Sequence, residues 1–398
     1  MSQLTFFEFQ TPHARVLPTL HQMGYGRARL WLGITAVGTI VTFASLGLIC
    51  GVSDHFQRLA DSSPWGTETI LLTFTLSYAT IQLPFDIIGG YLLPRRFNRL
   101  HPTLLEFFIG LIRGVTAHAL TLFVIAIAIY LAGRYGGLPL TVATSVVMMW
   151  LLLLGRYQLA SIISPLKLRI AEGTLSPTGE SLPIVYVENR DEGFTGGVAG
   201  FFKPNSLVIP FKWCEALKPA ELEFVSRRRS IAIETGSWQR GRAAAMGFTV
   251  TGVTIACFLA GKHRLGTVGG TIDLSFWFTL WSFIGLLVLP TLSRRSVIAI
   301  DQLAAVGGAD SNVMKSTTRR LDELQDGEGQ RPGFVEAIFH PIPSVENRLR
   351  PSSKHVNSGF WDVARTSVYL SLSGLSLLGR AVHCNCGRPS LWVFLPVD

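Results

Sequence analysis

Two apolar stretches, AAAMGFTVTGVTIACFLA at residues 243–260 and LSFWFTLWSFIGLLVLPTL at residues 274–292, determine the class of fold. A bilayer core requires about 20 predominantly apolar residues per helix, and both stretches come close to that length. Only a short segment that contains Lys262 and Arg264 separates them. The pattern predicts a transmembrane hairpin.

Four more apolar stretches precede the hairpin, at residues 30–52, 69–93, 114–133 and 140–155. The 398-residue chain is 48% hydrophobic and only 15% charged, whereas soluble proteins average about 25% charged residues. We therefore predict a multi-pass α-helical membrane protein with six spans and exclude a wholly soluble enzyme. The first stretch is too long, and too far from residue 1, for a cleaved signal peptide, so it should remain in the mature protein.

Basic residues are distributed unevenly between the two sides of these spans. On the richer side lie Arg15, Arg27, Arg29, Arg95, Arg96, Arg99 and Arg113. The positive-inside rule then predicts a cytoplasmic N-terminus and a cytoplasmic polar domain at a bacterial-type inner (plasma) membrane. The predicted organisation is a cytoplasmic segment at 1–29, four transmembrane helices at 30–164, half of a polar α+β domain at 165–242, the hairpin at 243–292, the second half of that domain at 293–359, and a C-terminal interfacial or membrane segment and tail at 360–398.

The formal net charge of +9 does not indicate a nucleic-acid-binding protein, because the basic residues are spread over the polar segments instead of forming one patch. The lipid bilayer is the predicted partner of these segments. Of the five cysteines, only Cys384 and Cys386 are close together, and they form no disulfide framework. The oligomeric state is left open.

Within the polar domain, residues 182–188 and 207–209 have the composition of strands, and a glycine-rich stretch at 193–200 lies between them. A helix should begin at Pro219, because proline and an acidic residue are favoured in the first helical turn. No phosphate-binding loop of the form G-x-x-x-x-G-K-[ST] is present, so we exclude nucleotide binding on this motif. These elements predict an α+β domain.

Three motifs in this order resemble those of the membrane-embedded zinc metallopeptidases of the HtpX and CAAX prenyl protease type. LKPAELEFV at 217–225 is similar to the family's lead-in to its H-E-x-x-H helix, and SRRSVIAID at 293–301 is similar to its later S-R-x-R-E-x-x-x-D helix. HPIPSVENRL at 340–349 resembles its H-P-P-x-x-x-R-I element. The resemblance covers about residues 165–350 and implies a gluzincin-like domain interrupted by a transmembrane hairpin.

The zinc ligands and the general base that the resemblance implies are all replaced. The two histidine ligands fall on Arg228 and Ala232, the base on Arg229, and the glutamate ligand on Val297. A hydrolytic zinc site needs about three histidine or carboxylate ligands, and arginine, alanine and valine supply none. We therefore expect no zinc, no other cofactor and no catalytic residue.

The family's aspartate is retained as Asp301, one helical turn after Val297. We predict that Arg228 or Arg229 forms an ion pair with Asp301 in place of the metal. The alternative is a basic cluster that faces solvent or lipid headgroups. That cluster would contain Arg227, Arg228, Arg229, Arg240 and Arg242.

The predicted function is that of an inactive pseudopeptidase that binds membrane proteins or peptide segments in a metallopeptidase-like cleft. The predicted peptide-binding edge is Leu207, Val208 and Ile209, together with the loop at 193–200. One alternative is an active zinc metalloendopeptidase with unrecognised ligands.

A channel or transporter is the other alternative. It requires Asp86, His118 and Arg156 to converge on a water-filled cavity. The segment at 366–379 is only about 14 residues long, which favours an interfacial or re-entrant helix over a span. His383, Cys384 and Cys386 supply fewer ligands than a closed zinc site needs.

Overall fold

The computed structural model describes residues 23–62, 66–164, 167–174, 182–200, 205–307, 310–325, 327–350 and 358–397. The α-helices are α1 (Tyr25–Ile49), α2 (Val52–Ser62), α3 (Gly66–Ile87), α4 (Leu93–Arg96), α5 (Leu104–Leu154), α6 (Arg156–Ile163), α7 (Trp213–Ala216), α8 (Pro219–Glu234), α9 (Ser237–Ala260), α10 (Val268–Val306), α11 (Ser311–Gln325), α12 (Gly333–Phe339), α13 (Val345–Leu349) and α14 (Val363–Leu370). The strands are β1 (Lys167–Thr174), β2 (Pro183–Glu188), β3 (Gly197–Ala199) and β4 (Ser206–Pro210).

Five helices in the described part of the chain are long and apolar enough to cross a membrane. They are Tyr25–Ile49, Gly66–Arg96, Leu104–Leu154, Ser237–Ala260 and Val268–Val306. The second of them joins α3 to α4 through a π-helical turn. The six predicted spans thus fall on five helices, because the third and fourth predicted spans both lie in α5.

Helix α5 is folded back on itself. A straight helix of 51 residues would be about 76 Å long. Yet Arg113, near its start, donates hydrogen bonds to the carbonyls of Ser161 and Ile162 just beyond its end. The reversal occurs at Gly137, whose φ of 57° and ψ of −144° are open to glycine but not to residues with a Cβ. This position lies between the two predicted spans.

The four strands form one sheet in the order β1-β2-β4-β3. Strand β2 runs parallel to β4, with Ile184 opposite Leu207, and β3 runs antiparallel to β4, with Gly197 opposite Val208. Strand β4 is therefore paired on both sides. The prediction that residues 207–209 form an exposed edge is wrong, because their apolar side chains belong to an interior strand.

Residues 361–397, the C-terminal segment, fill the space between the long helices. Five of these residues are partly buried and the others are buried. A side chain at Gly33 of α1 would overlap the backbone of His383, and one at Gly90 would overlap Gly387. Residues 366–379, predicted as an interfacial or re-entrant helix, are packed inside the protein, and only Val363–Leu370 is α-helical in this part of the chain. Neighbouring helices satisfy its polar groups, which hydropathy alone does not show.

Candidate functional site

Helix α8 brings the matched positions 228, 229 and 232 to the interior. Pro219 occupies its first turn, and the Glu221 carboxylate accepts a hydrogen bond from the backbone N–H of Lys218 at 2.9 Å. Residues four apart on a helix share one face, so Arg228 and Ala232 point the same way. Both are buried against α10, the helix that carries Val297 and Asp301.

The Asp301 carboxylate lies between two guanidinium groups. Arg228 Nε donates to Asp301 Oδ1 at 2.5 Å, and Arg348 Nε, from α13, donates to Oδ2 at 2.7 Å. Arg348 Nη2 is also 3.2 Å from Oδ1. Asp301 is only 1% exposed, so these are charge-assisted bonds in a region without bulk water. We call Arg228, Asp301 and Arg348 the Asp301 cluster.

The structure therefore brings together Arg228 and Asp301, the two residues that the sequence predicted as an ion pair. Arg348 was missed as a member, although it lies in the HPIPSVENRL motif at the place of the family's arginine. That motif position was the signal that could have identified it. The cluster joins segments on both sides of the α9–α10 hairpin.

Arg229 has a different role from Arg228. Its Nη1 donates to the carbonyl of Val208 at 2.6 Å, and its Nη2 donates to that of Thr195 at 2.7 Å. Its guanidinium also lies 5.5 Å from the ring centre of Trp213. Because Arg229 is fully buried, it bridges α8 to the sheet and does not face solvent.

The basic stretch at 227–229 does not form one exposed patch with Arg240 and Arg242. Arg227 donates to the carbonyl of Gly307, and Arg240 is exposed and donates to Gly359. Arg242 is buried, with its guanidinium 4.4 Å from the ring centre of Trp238. The alternative of a single solvated cluster is therefore wrong.

Ala232 and Val297 are 0% and 2% exposed and lie in one apolar cluster with Val225 and Ile300. These side chains offer a zinc ion no lone pair, and the nearby guanidiniums would repel it. The residues at the matched positions thus do not suit zinc. Within the described ranges, no group of three His, Cys, Asp or Glu side chains is arranged to hold a metal ion.

The three ionisable residues considered for a transport pathway each contact the C-terminal segment. Asp86 pairs with Arg380 and accepts a hydrogen bond from the backbone N–H of Gly387 at 2.8 Å. The His118 ring lies 5.6 Å from that of Trp392. Arg156 donates two hydrogen bonds to the carbonyl of Val393, at 3.0 and 3.1 Å. Each residue anchors this segment.

Side chains of the long helices hold the C-terminal segment largely by its main chain. Arg29 of α1 donates to the carbonyl of His383 at 2.8 Å, Ser145 of α5 to that of Ser373 at 3.0 Å, and Ser275 of α10 to that of Leu375 at 2.7 Å. Such bonds depend on the peptide backbone and not on the identity of the side chain it carries. The long helices therefore hold this segment of the chain through hydrogen bonds to its main chain.

No family model and no curated protein sequence matches this chain. Seven chains of solved structures do match, among them the crystal structure of S. mikatae Ste24p. The TM-score is 0.59 at 11% sequence identity, over 85% of this chain and 91% of that one. At this identity the similarity shows a common fold, which is that of a helical membrane protein.

Proposed function

We propose that this protein is a catalytically inactive membrane pseudopeptidase that holds a peptide segment in a protease-like interior. Ste24p is a CAAX prenyl protease, and its fold supports a membrane-protease-like family for this chain. The fold alone does not determine activity. The finer proposal rests on the residues at the metal-binding positions.

The Asp301 cluster is the observation that carries the proposed inactivity. Zinc lowers the pKa of its bound water to about 7 and polarises the scissile carbonyl. Two guanidiniums bound to one carboxylate supply neither a metal ligand nor a base, because arginine stays protonated in proteins. At two of the family's ligand positions, Ala232 and Val297 are buried apolar residues that cannot bind a metal ion.

The C-terminal segment supports the proposed peptide binding. Bonds from Arg29, Ser145, Arg156 and Ser275 reach main-chain carbonyls, which every peptide presents. We propose that a segment of a membrane protein can occupy this interior when the C-terminal segment leaves it. The transport alternative is not favoured, because Asp86, His118 and Arg156 all hold that segment.

Zinc content tests the proposed inactivity. We expect the purified chain to contain far less than one zinc per molecule by elemental analysis and to cleave no peptide. A variant with Arg228→His, Arg229→Glu, Ala232→His and Val297→Glu restores the family's ligand set and is the matched control, and Asp301→Ala is a second control. Stoichiometric zinc in the natural chain, or cleavage that a chelator abolishes, would reject the proposal.

A pair of glycines in the C-terminal segment tests the peptide binding. Gly387→Leu should displace this segment, because a side chain at Gly387 would overlap the carbonyl of Asp86, whereas Gly379 has open space beside it. The helices that face the segment are unchanged in both variants, so a fluorescent peptide of the natural sequence 371–394 should bind Gly387→Leu more tightly than it binds the Gly379→Leu control. A peptide that keeps Arg380, which pairs with Asp86, and Gly387 in place but scrambles its other residues should bind about as well, because its main-chain carbonyls accept most of the remaining hydrogen bonds from the helices. Equal binding of the natural peptide to both variants would contradict this mechanism.

We also propose a bacterial-type inner membrane, with the N-terminus and the polar domain cytoplasmic, from the loop charges. Two exposed cysteines test this orientation: Cys50 follows α1, and Cys214 lies in the polar domain. A membrane-impermeant maleimide should label Cys214 in inverted vesicles and Cys50 in right-side-out ones. The reverse result would overturn the orientation.

A further inference from the structure

A cavity of about 40 Å³ lies between the polar helices and the C-terminal segment. Six basic side chains are in its wall: Arg331, His340, Arg348, Arg365, His383 and Arg388. Three of them come from residues 331–348 and three from the C-terminal segment. The cavity therefore sits where these two parts of the chain meet.

Two of the six present buried nitrogen atoms that find no hydrogen-bond partner among the described residues. They are His340 Nε2 and Arg365 Nε, in side chains only 3% and 7% exposed. The one described partner of the Arg365 guanidinium is the Cys384 sulfur, 2.8 Å from Nη1. Cysteine sulfur is a weak hydrogen-bond acceptor, and no carboxylate among the described residues pairs with this cation, although buried arginines usually have one.

The carboxylates near the cavity are already engaged. Asp322 lies in its wall and pairs with Arg331 at 3.6 Å, while Asp301 and Asp191 pair with Arg348 and Arg388. Burial, followed by the positive neighbours Arg331, His383, Arg365 and Arg294, lowers the pKa of His340 well below its usual range. The wall therefore carries an excess of positive charge that a small anion would neutralise.

We propose that this cavity binds a phosphate group. A tetrahedral oxyanion has acceptor oxygens that point in several directions, so it can accept hydrogen bonds from donors on both sides of a small cavity. Guanidinium groups bind such oxyanions through two parallel N–H donors. The volume suits one small anion and not a drug-sized molecule. The bound phosphate would link Arg365 to the polar helices and secure the C-terminal segment in place.

Inorganic phosphate and the detergent-purified full-length protein test the site by calorimetry and thermal shift at constant ionic strength. We expect saturable binding and a higher Tm with phosphate than with chloride. Arg365→Gln should weaken phosphate binding about tenfold or more, because it removes a charge-assisted bond. Arg350→Gln, at an exposed arginine paired with Glu346, is the matched control and should bind normally.

A second variant, His340→Gln, covers the case in which Arg365→Gln does not fold, and it should also weaken binding. Phosphatidic acid and phosphatidylcholine in matched micelles distinguish the sources of the phosphate. Tighter binding of phosphatidic acid than of inorganic phosphate would assign the site to a lipid headgroup. Tm unchanged by phosphate and by phosphatidic acid, or equal affinity in both cavity variants and the control, would overturn the proposal.

Discussion

Two buried aspartates, Asp301 in the polar region and Asp86 among the membrane helices, are both paired with arginine but differ in their other partners. Asp301 is bound by two guanidiniums, from α8 and α13, whereas Asp86 is bound by Arg380 and by the backbone N–H of Gly387. The first arrangement joins α8 and α13 to α10. The second fixes the C-terminal segment among the helices. A buried carboxylate therefore marks where distant parts of this chain are held together.

Removing the charge of Asp301 should have the largest effect on stability. Asp301→Asn keeps the shape but leaves two buried guanidiniums without a carboxylate, and breaking one buried pair in this way already costs about 3–5 kcal/mol. We expect a loss of at least that size by chemical denaturation in detergent. Glu346→Gln, at an exposed ion pair, should cost less than about 1 kcal/mol. Equal losses of stability in Asp301→Asn and Glu346→Gln would contradict this prediction.

Asp86→Asn should cost about 3 kcal/mol, less than Asp301→Asn, because it strands one guanidinium and keeps an acceptor for Gly387. Its effect should be local. Maleimide should label Cys50 and Cys214 in the natural protein, and in the variant it should also label Cys384 and Cys386, which are buried in the C-terminal segment. Asp301→Asn under the same conditions is the comparison. Labelling of all five cysteines at one rate would indicate global unfolding instead.

A third carboxylate, Asp191, should make stability depend on pH. Burial alone would raise the pKa of Asp191, but the charge and hydrogen bonds of Arg388, with Lys212, lower it to about 2. An unfolded aspartate has a pKa near 3.9, so at pH 3 the unfolded state binds more protons. About 2 kcal/mol of stability should be present above pH 5 and lost as the pH falls toward 2.

Arg388→Gln should remove this dependence, as seen in denaturation curves at pH 5 and pH 3. Arg240→Gln is the control, because Arg240 is exposed and its described partners are carbonyl and hydroxyl oxygens. An unchanged pH dependence in Arg388→Gln would show that other carboxylates cause it.

The smallest expected effect is the coupling between the two arginines of the Asp301 cluster. After Arg228→Gln or Arg348→Gln, Asp301 keeps one guanidinium, so the single changes and the double change should not add up. We expect a coupling energy of about 1 kcal/mol from a double-mutant cycle, within the range seen for contacting residues. Arg228→Gln combined with Arg350→Gln is the control and should be additive. Additivity in the first cycle would show that the two arginines bind Asp301 independently.

The sequence predicts those features that depend on local pattern. Apolar stretches locate the long helices, and Pro219 marks the start of α8. The motif alignment also selects Arg228 and Asp301, because helix periodicity places matched residues on one face. The break at Gly137 falls between two predicted spans, where Arg134 and two glycines interrupt the apolar pattern.

Other features depend on contacts between residues far apart in sequence. Arg348 is 47 positions from Asp301, so its place in the HPIPSVENRL motif, and no local periodicity, was the signal for this contact. The location of the C-terminal segment is not readable from its own composition, since helices hundreds of residues earlier satisfy its polar groups. The prediction of an edge at residues 207–209 is wrong because an uninterrupted apolar run is also typical of a paired, interior strand.

The buried position of residues 361–397 constrains how the protein is made. These residues leave the ribosome after all five long helices, so the helices enter the bilayer before the material that fills their interior exists. During that interval Asp86 has no Arg380 beside it. Residues 361–397 must therefore enter among helices that are already made, so slower translation of this stretch should lengthen the time for which Asp86 is unpaired.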